Sequence, residues 1–531
     1  MRSRRAGTLR SASPHEEHPI SAIVAAHGPF DPREGARMLD RLTHRGPDGE
    51  GEVALDHAWL GHRRLAIVDL EGGAQPLHDP DLGLWLVGDG EVYNHQRLRD
   101  ELVERGRAFA TRSDHETVLH LLALDGPGAL ARLWGMFALV AAGQDGAVVA
   151  ARDLLGISPL YWVRDGETVI FASELKAFDP HRRADVEPFP PGHLWTPQGG
   201  LQQLQQLPAG RSARVAALLD DDEPGQEPPA AALAAIRDTL ITAVARCMEA
   251  DVPVGTLLSG GLDSSLVTAI AAHLAEGEGR RLATFSVGLA DSADLAAARR
   301  LAEELGTDHH ERIYTPDELI DWVPEVIGVI ESFDPQLVHS SVPNLLVTRL
   351  ASRHVKVVLI GEGADELFAG YSHYGRIDSD EELHAALLET IEGLHAGGLQ
   401  RVDRISGAHG VEPRLPFLDV DLVELGLALP ARWKLAHEDR GEKWLLRSAF
   451  EGWLPEDLLW RPKVQFGEGT GARGVLREHY GAAVTHEAFE RERTAVDPPL
   501  RTPEEAAYYR IFQRHLTGLD PEGVVGRFVE P

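Results

Sequence analysis

The sequence predicts two domains of different class, a sheet-rich α+β domain followed by an α/β domain with a doubly wound parallel sheet. At 531 residues the chain is too long for one typical domain. Short alternating segments broken by Gly-Pro-Asp, Gly-Gly and Asp-Gly turns fill residues 20 to about 190. From Ala231 onward, apolar strands alternate with longer helical patterns, which is typical of a parallel sheet covered by helices.

The composition excludes several classes of protein. Hydrophobic residues make up 43% of the chain, but no stretch approaches the roughly 20 apolar residues of a membrane helix. Lysine and arginine number 52 against 83 acids, and this net charge of −31 argues against nucleic acid as the main partner. The only cysteine, Cys247, excludes internal disulfides and cysteine-rich zinc sites. We therefore expect a cytoplasmic protein with small-molecule partners and no membrane partner.

The boundaries of the domains follow from changes in pattern. The first segment has arginines but no apolar core, so it does not read as a secretory signal, and we expect it to be a disordered leader. Acids and prolines cluster after the sheet-rich region, which is typical of a linker. The expected organisation is a leader at 1–19, a first domain at 20–207, a linker at 208–230, a second domain at 231–520 and a tail at 521–531.

Individual elements can be assigned along both domains. In the first, we expect strands within Ala58–Val68, Leu84–Val87, Phe137–Val140 and Val148–Ala151. In the second, we expect strands at Val254–Leu258, Leu282–Val287 and Val355–Ile360, and helices at Ala231–Met248, Leu266–Leu274, Asp294–Leu305 and Pro316–Phe333. Ligands of such sheets bind at the carboxyl ends of the strands. Asp263 and the turn at 361–366 should therefore meet at one edge.

The stretch 254–265 reads V-G-T-L-L-S-G-G-L-D-S-S and joins a buried strand to a helix through a glycine turn. Such a junction presents several free N–H groups to an anion. No Walker motif is present, and S-G-G-x-D-S-S looks like the pyrophosphate-binding loop of enzymes that cleave ATP between its α and β phosphates. An ordinary strand-to-helix turn is the alternative. The expected binding residues are Ser259, Gly260, Gly261, Asp263, Ser264 and Ser265.

Many motifs in order resemble the glutamine-hydrolysing asparagine synthetase family, from Ile20 to about His515. In the first half they are R-G-P-D-G (45–49), G-H-R-R-L-A-I-V-D (61–69), G-G-A-Q-P-L (72–77), G-E-V-Y-N-H (90–95) and S-D-H-E (113–116). In the second they are L-S-G-G-L-D-S-S (258–265), F-S-V-G-L (285–289), L-I-G-E-G-A-D-E-L-F-A-G-Y (359–371), G-V-E-P-R-L-P-F-L-D (410–419) and R-P-K-V-Q-F (461–466). The resemblance implies an N-terminal-nucleophile (αββα-type) glutaminase domain followed by an ATP-pyrophosphatase-type synthetase domain.

Two departures from the family pattern fall on the glutaminase machinery. Ser21 stands where the family has a cysteine whose thiol and free amine hydrolyse glutamine, and twenty residues precede it. Asp89 replaces an asparagine of the oxyanion hole, and an ionised carboxylate cannot donate that hydrogen bond. We therefore expect a glutaminase fold without glutaminase activity. The resemblance implies a vestigial glutamine pocket at Ser21, Arg64, Asp89, Gly90, Glu91 and Asp114.

The synthetase half keeps the family's residues, and the resemblance implies ATP and Mg²⁺ as its cofactors. In such enzymes a carboxylate attacks the α-phosphorus of ATP, and an amine then displaces AMP from the acyl-adenylate. Asp263 and Asp365 are assigned to Mg²⁺, with helix capping as the alternative. Lys443 and Lys463 match lysines that contact the phosphates, although lysines usually lie on the surface. Glu331 matches a glutamate thought to handle the amine's proton, or is an exposed glutamate at a helix end, and Leu257, Val287, Gly361 and Glu362 complete the nucleotide pocket.

The expected function is an AMP-forming amide ligase that uses ammonia or a small amine. Glu362 stands where β-lactam synthetases carry a tyrosine, which favours intermolecular amide formation. The alternatives are a conventional asparagine synthetase, an intramolecular cyclase of secondary metabolism and an inactive scaffold. His409 and Pro413 either reflect a different carboxylate substrate or carry no meaning. The acid, the amine and the oligomeric state, a homodimer included, stay open.

Overall fold

A computed structural model of the chain describes residues 21–46, 48–207, 227–377, 379–435, 441–463 and 469–528. The expected leader lies outside these residues, and so does the expected linker up to residue 226. No helix of the described part is long and apolar enough to cross a membrane.

The first half is built on two six-stranded antiparallel sheets. One has the strand order β10-β8-β9-β1-β3-β2 and the other β12-β11-β7-β6-β5-β4. The strands are β1 (Ala22–His27), β2 (Gly49–Ala54), β3 (Ala58–Arg64), β4 (Leu77–Asp79), β5 (Leu84–Val92), β6 (Gly135–Gly143), β7 (Val148–Arg152), β8 (Tyr161–Asp165), β9 (Thr168–Ala172), β10 (Glu187–Pro188), β11 (His193–Thr196) and β12 (Gly200–Gln203).

The two sheets pack face to face and carry helices on their outer faces. Ile23 of β1, Val140 of β6 and Phe171 of β9 belong to one buried cluster between the sheets. Helix α1 (Pro32–Asp40) packs on the first sheet, and α2 (His95–Glu104) and α3 (Glu116–Asp125) pack on the second. This αββα arrangement confirms the predicted fold class of the first half.

The second half is built on a five-stranded sheet in which every neighbouring pair is parallel. The order is β15-β14-β13-β16-β17, with β13 (Val254–Leu257), β14 (Ala283–Gly288), β15 (Asp308–Ile313), β16 (Val357–Leu359) and β17 (Glu412–Arg414). Its helices are α4 (Ala230–Cys247), α5 (Leu262–Gly277), α6 (Ala293–Leu305), α7 (Pro316–Ile330), α8 (Pro335–Ala351), α9 (Ala364–Leu367), α10 (Asp380–Gly393), α11 (Gly398–Gly407), α12 (Val420–Ala428), α13 (Trp444–Ala449), α14 (Glu456–Leu459), α15 (Ala472–Ala482), α16 (His486–Glu492) and α17 (Pro503–His515). The doubly wound prediction is confirmed.

Two strands of this sheet and several helices of this half, among them α8, α10 and α17, were not predicted. β15 reads D-H-H-E-R-I and β17 reads E-P-R, so neither shows an apolar run, and both lie at sheet edges. Proline is tolerated at an edge because one side of the strand needs no hydrogen bond. The predicted helix Pro316–Phe333 ends at Ile330, since Glu331 takes the left-handed conformation at φ 55°.

The two halves are joined by buried ion pairs. Arg45 of the first half bonds Asp403 of the second at 2.6 and 2.9 Å, and its guanidinium is fully buried. Glu331 accepts hydrogen bonds from the backbone of Leu175 and Lys176 at 3.0 and 2.7 Å. These contacts place the first half beside the helices that surround the second sheet.

Candidate active site

A cavity of about 850 Å³ opens at the carboxyl edge of the parallel sheet. β13 and β16 are neighbours, so the segments that follow them meet there, as the sequence predicts. The cavity is lined by most of the predicted ligand-binding residues: Leu257, Ser259, Gly261, Asp263, Ser264, Val287, Gly361, Glu362, Asp365, Lys443 and Lys463. Gly260, Ser265 and Glu331 do not line it.

The glycine turn after β13 is shaped by its own hydroxyl groups. Ser259 Oγ and Ser264 Oγ lie 2.9 Å apart, and the Gly261 N–H donates to Ser259 Oγ at 3.3 Å. Gly260 has φ 77°, and a Cβ there would lie 2.6 Å from the carbonyl oxygen of Asp294. The turn therefore needs glycine for both its conformation and its packing, and it places the first turn of α5 against the cavity.

The end of β16 approaches this turn closely. A Cβ on Gly361 would lie 2.8 Å from the backbone nitrogen of Ser264. Only a residue without a side chain lets the two strand ends come together with their backbones in contact. Asp263 in the first turn of α5 and Asp365 in α9 are thereby brought to the same lysine. Neither aspartate caps its helix through its side chain.

Two lysines pair with the two aspartates, and one of them, Lys443, bridges both. Lys443 Nζ lies 2.6 Å from Asp263 Oδ2 and 2.6 Å from Asp365 Oδ1. Lys463 also pairs with Asp365, and it donates to the Gly370 carbonyl at 3.1 Å. Lys443 is buried and takes the left-handed conformation at φ 57°, a strained state for a non-glycine residue that recurs at functional sites.

Burial and ion pairing shift the pKa values of Asp263, Asp365 and Lys443. Burial would raise the pKa of Asp365, but Lys443 and Lys463 lower it to about 2. Burial would lower the pKa of Lys443, but the two carboxylates raise it. Burial raises the pKa of Asp263 despite Lys443. The two carboxylates and two ammonium groups balance one another until a charged ligand enters.

The donor set fits a magnesium ion that also binds phosphate oxygens. Asp263 Oδ1 is buried and has no hydrogen-bond partner among the described residues. No group of three or more histidine, cysteine or carboxylate side chains suited to a metal occurs in the described ranges. Mg²⁺ commonly takes one or two carboxylates and completes its shell with water and substrate phosphates. Asp263 and Asp365 are the residues that would hold it.

Several cavity residues were not predicted from the sequence. Arg401 of α11 binds Glu362 through both carboxylate oxygens at 2.8 and 2.7 Å. Arg461 donates to the Gly260 carbonyl at 3.0 Å and to Asp294 at 2.6 Å. Arg461 begins the quoted R-P-K motif, so its place in that motif was an available signal; Arg401 is brought in only by tertiary packing.

Glu331 lies outside the cavity and is fully buried. Besides the two backbone donors of the first half, it accepts from Arg404 Nε at 3.1 Å. All of these partners are structural, and the structure does not bring Glu331 to the nucleotide residues. His409 is also absent from the cavity wall, and Pro413 lines only a small cavity between the halves.

Ser21 and Asp89 of the first half are both held by Arg45. Arg45 Nε donates to the Ser21 carbonyl at 2.9 Å, and Nη2 donates to Asp89 Oδ2 at 3.0 Å. Ser21 Oγ accepts from the Leu65 N–H at 3.1 Å. Asp89 Oδ1 has no partner among the described residues, and burial raises the pKa of Asp89 to about 7.

The remaining residues of the predicted glutamine pocket are also engaged in local bonds. Arg64 donates to the carbonyls of Asp69 and Leu70 at 2.7 and 2.9 Å. Asp114 accepts from the Val92 N–H at 2.7 Å. The other members are Gly90, at φ 96°, and Glu91, which pairs with Arg414 at 3.1 Å. None of these bonds joins Arg64 to Asp114, and the glutamine pocket stays a prediction.

Comparison with known proteins decides the family. The family model for asparagine synthase matches residues 235–381 and 375–516, and the model for a glutamine amidotransferase domain matches residues 20–217. A glutamine-hydrolysing asparagine synthetase of Arabidopsis thaliana is 38% identical over 523 residues, covering 93% of this chain and 87% of that protein. The one of Sandersonia aurantiaca is 37% identical over 531 residues, covering 94% and 97%. The chain belongs to the asparagine synthetase family.

Membership of the asparagine synthetase family confirms the resemblance seen in the sequence and makes the chain an ATP-dependent ligase that forms amide bonds. It supports the alternative, a conventional asparagine synthetase, better than the main interpretation. The relatives are named glutamine-hydrolysing, and the glutamine amidotransferase model spans the first half. Nothing in these matches supports an inactive glutaminase or a place in secondary metabolism.

Proposed function

We propose that the protein carries out the asparagine synthetase reaction, in which the side-chain carboxylate of aspartate is adenylated by ATP and then converted to an amide. The observation that carries the proposal is the pairing of Asp263 and Asp365 with Lys443 and Lys463 beside the glycine turn. The two carboxylates suit a magnesium ion, and the two lysines and the backbone N–H groups suit the phosphate oxygens of a magnesium triphosphate.

The residues divide the work of the first step. The turn at 259–264 binds the pyrophosphate portion, and Asp263 and Asp365 hold Mg²⁺, which supplies Lewis-acid stabilisation of the phosphate oxygens when bound. Lys443 and Lys463 then exchange their carboxylate partners for phosphate oxygens, whose negative charge grows as the α–β bond breaks. The aspartate carboxylate attacks the α-phosphorus, and pyrophosphate leaves.

The second step needs a carboxylate near the incoming amine. Glu362 lines the cavity, whereas Glu331 does not, so the proposal assigns the amine's proton to Glu362. Arg401 fixes the orientation of the Glu362 carboxylate by two hydrogen bonds. Attack of ammonia on the acyl carbon releases AMP.

The test is product analysis with aspartate, ATP, Mg²⁺ and ammonium. We expect AMP and pyrophosphate in a one-to-one ratio with asparagine. Asp365→Asn should lower the rate at least about 100-fold, because the one side chain that would bind the metal and that pairs with both lysines loses its charge. The control is Asp457→Asn, since Asp457 pairs with Arg300 on the exposed surface. ADP as the product, or full activity of Asp365→Asn, would contradict the proposal.

The source of nitrogen separates two candidate functions. In the first, glutamine supplies the ammonia. In the second, which the contacts of Ser21 and Asp89 favour, it does not. The relatives' names favour glutamine, and a cavity of about 20 Å³ lined by Asp89 and Asp403, one from each half, has room for a molecule the size of ammonia. Two features oppose the use of glutamine. Ser21 offers a hydroxyl in place of a thiol, and Asp89 is a carboxylate held by Arg45. On this alternative the enzyme uses free ammonia only.

Glutamate release from glutamine separates the two candidates. Burial raises the pKa of Asp89 to about 7, and the ionised carboxylate can only accept hydrogen bonds. On the ammonia-only alternative we expect no glutamate above background at pH 8, while a protonated Asp89 could donate one hydrogen bond below pH 7. Release at pH 8 that Ser21→Ala abolishes would establish a serine-type glutaminase and overturn the alternative. The matched control is Ser340→Ala, which alters a serine of the synthetase cavity.

A further inference from the structure

The C-terminal segment 521–528 is packed onto the synthetase half. Val524 and Val525 are buried in its core. The Arg527 guanidinium pairs with the fully buried Glu505 at 2.8 Å and lies 5.4 Å from the ring centre of Phe333. Without Arg527, the buried carboxylate of Glu505 would lose part of its charge compensation. The segment is therefore held in one position by both apolar and ionic contacts.

This anchoring places Phe528 in the wall of the active-site cavity. The Phe528 N–H donates to Asp334 Oδ2 at 2.9 Å, and Asp334 is fully buried. The ring lies against Gly397, where a Cβ would collide with it. An aromatic ring and a glycine thus fit together at this point of the wall.

The same part of the wall carries Glu362. A Cβ on Gly398, next to Gly397, would lie 2.5 Å from Glu362 Oε1. Arg401, one turn along α11, holds the Glu362 carboxylate. Phe528 therefore lies at the end of the cavity formed by α11, beside Glu362, rather than among the residues of the glycine turn.

Asp334 connects Phe528 to a second wall of the cavity. Its Oδ1 caps α8 by accepting from the backbone N–H groups of Gln336 and Leu337 at 2.9 and 3.1 Å. Both of these residues line the cavity. One buried carboxylate thus sets the position of the C-terminal segment and of the first turn of α8.

We propose that Phe528 is a specificity-determining residue that closes the acid end of the cavity and limits the length of the carboxylic acid. The nucleotide takes the end formed by the glycine turn, Leu257 and Val287. What remains for the acid is the end bounded by α8, α11 and Phe528. A rigid ring there admits a short dicarboxylic amino acid and excludes one that is a methylene longer. The proposal rests on the proposed function and names the feature that selects its acid.

The experiment compares aspartate with glutamate in pyrophosphate release for the wild type, Phe528→Ala and Phe528→Leu. One methylene in a fitted pocket is worth about 10- to 200-fold in kcat/KM. Phe528→Ala should therefore narrow the aspartate-to-glutamate ratio of kcat/KM at least ~10-fold, and Phe528→Leu should narrow it less, with the KM for ATP unchanged. The backbone bond to Asp334 and the Arg527 pair remain in both variants. The control is Glu522→Ala, an exposed change in the same segment.

The outcomes separate this proposal from the proposed function. A ratio that stays within twofold of the wild type in both variants would overturn the role of Phe528, whatever the overall rate. If the wild type releases no pyrophosphate with either acid, the proposed function fails instead. Thermal shifts with each acid, ATP and Mg²⁺ then test Phe528. A shift with glutamate that appears only in Phe528→Ala supports its role, and identical shifts in all proteins overturn it.

Discussion

At the scale of single residues, the sequence predicts several residues of the cavity but not how they pair. The sequence identifies Asp263, Asp365, Lys443 and Lys463 one by one, because each lies in a motif. The distance of 2.6 Å between Lys443 and Asp263 depends on chain segments 180 residues apart. For Glu331, the motif position predicted a catalytic role. In the fold its carboxylate instead bonds residues of both halves.

Lys463 should act on the reaction more than on ATP binding. It pairs with Asp365 and lies 4.7 Å from the ring centre of Tyr371, so its ammonium group is already positioned before ATP enters. Lys463→Ala should lower kcat about 100-fold and raise the KM for ATP less than about fivefold, because the interaction strengthens as charge develops. Steady-state kinetics with ATP varied measure both values. Normal kcat with weaker ATP binding would make Lys463 a ground-state contact, and Lys463→Arg serves as the charge-preserving control.

Lys434 should lower stability at neutral pH. It is fully buried, and its Nζ has no hydrogen-bond partner among the described residues. Burial lowers its pKa from 10.5 to about 7, so between pH 7 and 10.5 the unfolded chain binds a proton that the folded protein does not. This contribution makes stability rise with pH over that window. Lys434→Met should raise the free energy of unfolding by at least about 1 kcal/mol at pH 7, and the gain should shrink toward pH 10.

Denaturant titrations at several pH values measure this gain. The control is Lys356→Met, because Lys356 is partly exposed and pairs with Asp48 at 2.7 Å. The free energy of unfolding of Lys356→Met should fall by at most about 1 kcal/mol. A Lys434→Met variant no more stable than the wild type at pH 7 would show that the lysine has a partner in the folded protein.

At the scale of elements, the start of α6 holds the segment that carries Lys463. Ser292 caps this helix by accepting from the Leu295 N–H at 3.2 Å, and it also donates to the Gly469 carbonyl at 2.9 Å. Asp294 in its first turn binds Arg461 at 2.6 Å. Both described ends of the segment around Lys463 are thus fixed to one helix terminus.

Loss of this cap should therefore affect catalysis as well as stability. Ser292→Ala removes the helix cap and the bond to Gly469, and Thr315→Ala removes the cap of α7, which lies outside the cavity wall. Each should cost about 1 kcal/mol of stability. Only Ser292→Ala should also lower kcat, by roughly threefold to tenfold. Equal kcat in the two variants would show that the position of the Lys463 segment does not depend on α6.

The elements also show where sequence patterns lose information. β13, β14 and β16 were predicted because strands buried on both faces are predominantly apolar. The edge strands β15 and β17 lack that pattern. Helix α8 contains Pro343 in its interior and is buried on most sides, so its sequence shows neither a clear apolar face nor an uninterrupted helical run.

At the scale of the whole molecule, Glu331 should contribute to the interface and not to the chemistry. Glu331→Gln keeps the shape of the side chain but removes the charge opposite the fully buried Arg404. We expect the free energy of unfolding to fall by roughly 1–3 kcal/mol, with kcat within threefold of the wild type. Glu362→Gln is the matched change inside the cavity and should show the reverse pattern. A large loss of kcat in Glu331→Gln without loss of stability would restore its catalytic assignment.

Arg45 has a consequence for how the protein unfolds. Its guanidinium is shared among Asp89 and Glu174 of the first half and Asp403 of the second, with no solvent exposure. If either half melted alone, the other would lose the ion pair between Arg45 and Asp403 and would expose its side of the shared surface to water. A half-folded intermediate is therefore disfavoured relative to both end states. The two halves should melt in a single cooperative transition, with equal calorimetric and van't Hoff enthalpies, despite a length at which separate transitions are common.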